Sequence, residues 1–233
     1  MQNILLIESA TDVCGAAIAQ DGQTVVIQQT HNTRDHAALL TCQIQSCCDQ
    51  SGIPLKQIDA VAVSAGPGSY TGLRVGASVA KGICYALDLP LIQINTLEAI
   101  AWGNKNTVDA ETYYAPMLDA RRDEIWMALF GPTLNPLLDP KPYIAHVNLF
   151  ESLFEKIYLK KIHLCGNGIS KLYPLLCKSN TYTWGSNCCN VDYLSNISFN
   201  KLYNADFIDI KHFEPTYMKP PNVTTSNKPN GLF

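Results

Sequence analysis

Short apolar runs separated by polar turns fill the first sixty positions. Asn3–Ile7 is continuously apolar and predicts a strand buried on both faces. Ser9-Ala-Thr-Asp12 is turn-forming, Cys14–Ala19 predicts a second strand, and Asp21-Gly22 predicts a hairpin into a third at Thr24–Gln29. The period then lengthens. Between His36 and Asp49, the residues Ala37, Leu40, Ile44, Cys47 and Cys48 share one helical face, and Gly52 and Pro54 stop that helix. Ile58–Ser64 predicts another buried strand, 73–87 a second helix and Leu91–Asn95 a further strand, with a helix starting near Thr96. This βββ-α-β-α-β opening is a meander, which excludes the strand–helix start of a dinucleotide-binding fold.

A loosened stretch between Trp102 and Thr112 divides the chain into lobes at 1–102 and 103–219, and a Pro/Asn/Thr/Ser-rich stretch predicts a disordered tail over 220–233. The second half repeats the opening more weakly. Tyr113–Leu118 and Ile125–Phe130 predict paired strands, joined by the charged Asp119-Ala-Arg-Arg-Asp-Glu124, either a solvated hairpin tip or a polar rim at a cleft between lobes. Pro132, Pro136, Pro140 and Pro142 predict a long irregular connection. A helix at 148–157, a strand at Lys161–Cys165, the turn Gly166-Asn-Gly168 and a helix at Val191–Tyr203 complete the pattern, which is that of a duplicated α/β architecture.

Of the 233 residues, 47% are hydrophobic and 16% charged, against roughly 25% charged in typical soluble domains, which excludes a disordered chain. A net charge of −3 argues against a stand-alone nucleic-acid binder. No apolar run nears the roughly 18 residues of a membrane span, and the start lacks the basic region of a signal peptide, so a cytoplasmic protein with no membrane contact is expected. The nine cysteines are odd in number and lack a Cys-x-x-Cys pair, so they read as small apolar thiols. Five scattered histidines give no metal site by local spacing.

The densest chemistry lies in Ser64–Gly82. Gly66 and Gly68 free the backbone to turn, and Ser69, Thr71 and the amides opening the next helix suit an anion; the alternative is a glycine-rich turn with Thr71 as N-cap. Gly72, Gly76 and Ala80 recur every four residues as a small-residue stripe. Such a stripe allows close approach either of the chain's own sheet or of a partner helix, alongside the Ala37/Leu40/Ile44/Cys48 face.

Ile4–Thr11, Arg34–Leu40, Gly66–Gly76 continued through Ala80-Lys-Gly82, Ala115–Glu124 and the closing Pro215–Lys219 stand in an order and spacing that resembles the TsaB (YeaZ) family. The resemblance implies an α/β fold of two ribonuclease-H-like lobes of the actin/sugar-kinase/Hsp70 (ASKHA) type. It implies a non-catalytic subunit in the threonylcarbamoyl modification of adenosine beside the tRNA anticodon. Its partners would be a catalytic TsaD-like subunit and a TsaE-like ATPase, with tRNA met only within the complex and a homodimer formed when the chain is alone. The partner face would be Ala37, Leu40, Ile44, Cys48, Gly72, Gly76 and Ala80, with no catalytic or metal residues. A phosphate or nucleotide would meet Glu8, Ser9, Thr11, Gly66, Gly68 and Ser69; no cofactor is expected beyond weak nucleotide binding at a subunit interface. The resemblance also puts Thr96 and Ile100 where the catalytic relative carries two metal-binding histidines, and Glu8 where the fold usually carries an aspartate. The M22 glycoprotease label attached to the superfamily finds no ligand set here. The competing reading is a phosphotransferase or nucleotide hydrolase of the same fold.

Overall fold

The computed structural model describes residues 1–31, 36–105, 108, 110–150, 161–186 and 188–218, with the side chains of residues 36 and 37 left out. The first sheet holds β1 (Asn3–Glu8), β2 (Cys14–Gln20), β3 (Gln23–Thr30), β4 (Ala60–Ser64) and β5 (Leu91–Ile94) in the order β3-β2-β1-β4-β5. Strands β1, β2 and β3 are antiparallel neighbours, whereas β1, β4 and β5 run parallel. Helix α1 (His36–Ser51) joins β3 to β4 and α2 (Tyr70–Leu87) joins β4 to β5, while α3 (Thr96–Asn104) leads from β5 to the second sheet. Parallel pairs need such crossovers, and elements on both faces bury the inner strands, which is why β1 reads as an unbroken apolar run, while the edge strand β3 stays partly exposed.

The second sheet holds β6 (Tyr113–Asp119), β7 (Glu124–Phe130), β8 (Pro136–Ile144), β9 (Ile162–Cys165) and β10 (Tyr182–Trp184). Its order β8-β7-β6-β9-β10 reproduces that of the first sheet, with the same two antiparallel and two parallel pairings. The duplicated ribonuclease-H-like topology is therefore real. Helix α4 (Ile169–Leu176) follows β9 as α2 follows β4, and α5 (Ser195–Tyr203) follows a 3-10 turn at Val191–Leu194.

Strand alternation sorts the first core into two layers. Leu5, Ile7, Ala16, Ile18, Val61 and Val63 face α1 and α2, whereas Ile4, Leu6, Ala17, Ala19, Ala60, Ala62 and Ile92 face α3, Val191, Leu194 and Ile197. Residues 191–203, which the sequence reading placed with the second lobe, thus return to cover the first sheet. Helix α3 joins the lobes: Leu97, Ile100 and Ala101 pack against Tyr114, Leu118, Trp126 and Ala128 of β6 and β7.

Three elements depart from the sequence reading. The proline-rich stretch expected to be irregular contains β8, paired antiparallel with β7. It is an edge strand, where a missing N–H on the outer side breaks no ladder bond, so prolines are tolerated. Helix α4 and strand β10 were not foreseen; α4 carries Pro174 within it, and β10 has only three residues. The helix expected at 148–157 and the tail at 220–233 fall largely or wholly outside the described residues. Among the described residues, no helix is long and apolar enough to cross a membrane.

The closing segment forms a strap across the first lobe. Ile208 N donates to Leu91 O at 2.9 Å and Thr216 N to Ala65 O at 2.7 Å, while Lys81 Nζ donates to Phe213 O at 3.0 Å. Phe213 is its apolar anchor, fully buried in the layer between the sheet and α2. Replacing Phe213 by Ala should cost about 3–5 kcal/mol of stability, the usual range for emptying a buried aromatic site. Denaturant unfolding should show the midpoint falling with little change in slope.

Candidate functional site

The C-terminal ends of β1 and β4 meet the loop that opens α2. Gly66 adopts φ +106°, and a Cβ there would stand 2.8 Å from the Thr216 carbonyl oxygen. Its own carbonyl accepts from Thr96 N at 2.9 Å. Gly68 lies directly on Ala10, where any side chain would collide with the Ala10 backbone. Ser69 N donates to Ala10 O at 2.6 Å, and Ser69 Oγ caps α2 by accepting from Gly72 N at 3.3 Å. The cap is therefore Ser69 rather than Thr71. Ser9 Oγ donates to Gly72 O at 2.8 Å and lies against Gly76. Thr11 is half-exposed and accepts from Val13 N at 3.2 Å. The structure thus gathers Ser9, Gly66, Gly68 and Ser69 as the sequence suggested, but the hydroxyls of Ser9 and Ser69 are engaged with this chain's own backbone.

Glu8 ends β1 and is wholly buried. One carboxylate oxygen accepts from Ala10 N at 2.7 Å; the other accepts from Ser64 Oγ at 2.6 Å and faces Cys189 Sγ at 3.4 Å. Burial lifts its pKa from an ordinary 4.5 to about 7, and the bonds from Ser64, Ala10 and Cys189 only partly offset that cost. Burial, then the neighbouring Glu8, pushes the Cys189 thiol well above its ordinary value. Both oxygens of Glu8 are occupied, so this carboxylate does not fit a metal or its water shell. Thr96 is buried, and its hydroxyl finds no partner among the described residues. Ile100 is spent in the interlobe core. Neither side chain suits a metal, and among the described residues no group of three or more His, Cys, Asp or Glu is placed to hold one.

The expected partner face needs correction. Leu40, Ile44, Cys48 and Ala80 are buried in the layer between α1, α2 and the first sheet, and Gly72 and Gly76 are buried beside them. The side chain of Ala37 lies outside the described set. The Gly72/Gly76/Ala80 stripe is small because α2 presses on β1 and β4: a Cβ on Gly76 would strike Ser9 Oγ and come within 3.4 Å of Val63. The exposed face of α2 carries Arg74, Ser78, Gly82, Tyr85 and Ala86 instead. A Cβ on Gly82 would meet nothing within 4 Å, and Tyr85 is 86% exposed. Sequence reasoning also missed an aromatic clamp between α2 and the strap. The Tyr70 and Tyr217 rings lie 4.8 Å apart, with the Arg74 guanidinium 4.1 Å from the Tyr70 ring centre and Arg74 Nε 3.2 Å from the Tyr217 hydroxyl. No local pattern links residues 143 positions apart.

Two lobes of identical strand order, joined through α3, define an α/β protein of the actin/sugar-kinase/Hsp70 class. A ROK family protein from Streptococcus pneumoniae shares this fold at a TM-score of 0.51, with 9% identity over 88% of this chain and 99% of its own. YeaZ from Pseudomonas aeruginosa superposes at a TM-score of 0.75, with 20% identity, covering 93% of this chain and 100% of its own. A family model described as "TsaD: tRNA N6-adenosine threonylcarbamoyltransferase" matches residues 24–140, just over half of the chain. The tRNA threonylcarbamoyladenosine biosynthesis protein TsaB of Haemophilus influenzae is 35% identical over 130 residues, 55% of this chain and 54% of that protein. The chain belongs to this family, on its TsaB (YeaZ) branch. It spans about half the length of the curated relatives it matches.

Because Glu8 holds its proton to about pH 7 when folded and only to 4.5 as an ordinary carboxyl, the unfolded chain loses that proton first. The stability that Glu8 contributes is full below pH 4.5, declines as pH rises through about 7, and then levels off. The decline amounts to about 3 kcal/mol. Glu8→Gln, measured beside wild type in denaturant titrations from pH 4 to 9, should remove that slope; identical pH profiles would show that the carboxyl does not titrate in this window.

Proposed function

We propose that this chain is a non-catalytic accessory subunit in the biosynthesis of tRNA threonylcarbamoyladenosine, supporting a TsaD-like catalytic subunit. The observation that carries the reading is the state of the ligand positions: Glu8 is sealed by Ser64, Ala10 and Cys189, while Thr96 and Ile100 stand where the resemblance implies metal-binding histidines. Threonine is a poor metal ligand and isoleucine none. The name of the relative in Haemophilus influenzae supports the pathway. A TsaE-like ATPase completes the assembly, tRNA is met only there, and the chain pairs with itself when its partner is absent.

The partner meets the outer faces of α1 and α2. Ser78, Gly82 and Ala86 form a second row of small residues every four positions, exposed on the outer side of α2. Val75, Val79 and Ile83 flank it, half-buried. A glycine inside a helix costs about 1 kcal/mol relative to alanine, and among the described residues Gly82 has no neighbour that requires it. A second helix packed close against this row supplies the reason.

Ser78→Arg combined with Gly82→Glu should abolish co-purification with the TsaD-like subunit and leave the thermal midpoint within a few degrees of wild type. Gly76→Leu should act differently, by displacing Ser9 and destabilising the fold by about 2 kcal/mol or more. A surface double variant that still co-purifies would place the interface elsewhere. The isolated wild-type chain should neither consume threonylcarbamoyl-AMP nor turn over ATP with Mg²⁺; steady turnover of either by the lone protein overturns the non-catalytic reading.

A further inference from the structure

The hairpin between β6 and β7 turns through two arginines at positions where glycine or asparagine is usual. Arg121 and Arg122 both lie in the left-handed region, at φ +67° and +51°. There a residue with a Cβ is disfavoured, and glycine or asparagine is the usual occupant. The strain is held from below. Asp119 accepts from Arg121 N at 2.6 Å and from Lys171 Nζ at 2.6 Å, and Asp119 N donates to Asn167 Oδ1 at 2.8 Å. Ala120 N and Glu124 N close the turn on Glu124 O and Arg121 O. Asp119 therefore spends its charge inside the base of the hairpin rather than on the arginine side chains.

Both arginines are exposed, and among the described residues neither guanidinium has an ion pair or a hydrogen bond. Lys171 at the base is paired with Asp119, and the exposed His146 lies on the adjoining segment; Asp123 and Glu124 are the other acidic neighbours on the hairpin itself. Two adjacent guanidiniums without partners, on a backbone kept in an unfavourable conformation by a buttressing carboxylate, suit an anion supplied from outside. Arginine's planar donors match phosphate oxygens.

We infer that Arg121 and Arg122 contact the phosphodiester backbone of tRNA. The choice of RNA rests on the accessory-subunit reading above. A net-negative chain with one local pair of unpaired arginines fits a contact that positions a nucleic acid bound mainly elsewhere.

The test measures binding of unmodified bulk tRNA by fluorescence anisotropy, from 50 to 300 mM salt, with the full chain alone and with its TsaD-like partner. Arg121→Ala combined with Arg122→Ala should weaken binding about tenfold at low salt and lower the slope of log affinity against log salt by about 1.5, since each phosphate contact contributes about 0.7–0.9. Arg121→Lys with Arg122→Lys should keep most of that slope. Arg121→Asn with Arg122→Gly suits the left-handed backbone. It should melt no lower than wild type while binding tRNA as poorly as the alanine pair; a lower midpoint would assign the arginines to the fold and overturn the inference. So would unchanged tRNA affinity and slope in the alanine pair, or no tRNA binding by the wild type in either form. Displacement of tRNA from the hairpin by ATP at constant ionic strength would assign the arginines to free nucleotide phosphates instead. Co-purification is recorded in parallel. Its absence in the wild type counts against the accessory reading, while tRNA binding by the chain alone still decides the role of the hairpin.

Discussion

The close approach of α2 to β1 and β4 governs the rest of the architecture. Ser9 Oγ donates to the Gly72 carbonyl, and Gly76 leaves space for that hydroxyl, so the helix backbone sits close on the strand ends with only the short side chains of Ser9 and Val63 between them there. Once α2 is there, Ser69 caps it and Ser69 N reaches Ala10 O. Gly68 must then be bare, and the loop carbonyl at Gly66 is aligned for Thr96 N at the start of α3. Helix α3 in turn carries Leu97, Ile100 and Ala101 to the second sheet. A single tight contact thereby propagates through backbone hydrogen bonds from the first lobe to the interface with the second.

The second lobe solves the same problem with the same device. After β9, Gly166 at φ +89° and Gly168 press on Met117 and Leu118 of β6, much as Gly68 presses on Ala10 just past β1, while Gly66 presses on Thr216 of the strap. Both lobes therefore place a glycine–x–glycine turn where the fourth strand of the sheet hands over to a helix, because a Cβ at that point collides with neighbouring backbone. The two sites differ in what fills the space above. In the first lobe Glu8 is enclosed and holds its proton to about pH 7; in the second the equivalent strand ends in the exposed Asp119, bonded to Lys171. A carboxyl is buried in one lobe and presented in the other.

Most of the first lobe was legible from periodicity, because its strands and helices have regular apolar spacing and clear stops at Gly22, Gly52 and Pro54. The second lobe was less so, for identifiable reasons. Strand β8 is an edge strand that tolerates prolines at 136, 140 and 142, which read as breakers when pairing partners are unknown. Helix α4 contains Pro174, and β10 is too short to show alternation. The return of Val191, Leu194 and Ile197 to the first sheet depends on tertiary contacts that no local pattern encodes. In the candidate site, the grouping of Ser9, Gly66, Gly68 and Ser69 was visible in the sequence. Which way their hydroxyls are spent, and the burial of Glu8 beneath Cys189 from 181 positions away, were not.

The small-residue stripe shows how the ambiguity arose and what resolves it. Spacing by four identifies a row, not the direction it faces, so Gly72, Gly76 and Ala80 fitted an internal sheet and an external helix equally well. The structure assigns that row to the sheet, where the contacts of Gly76 account for its lack of a side chain. Ser78, Gly82 and Ala86 then stand as a separate row, turned to solvent. Nothing among the described residues constrains the size of its middle member, since a Cβ on Gly82 meets open space there. Larger solvating side chains would be the ordinary choice for such a surface, and alanine rather than glycine the choice for helix stability. The inner row is explained by what it touches; the outer row touches nothing among the described residues, and that difference is what separates two rows of the same spacing.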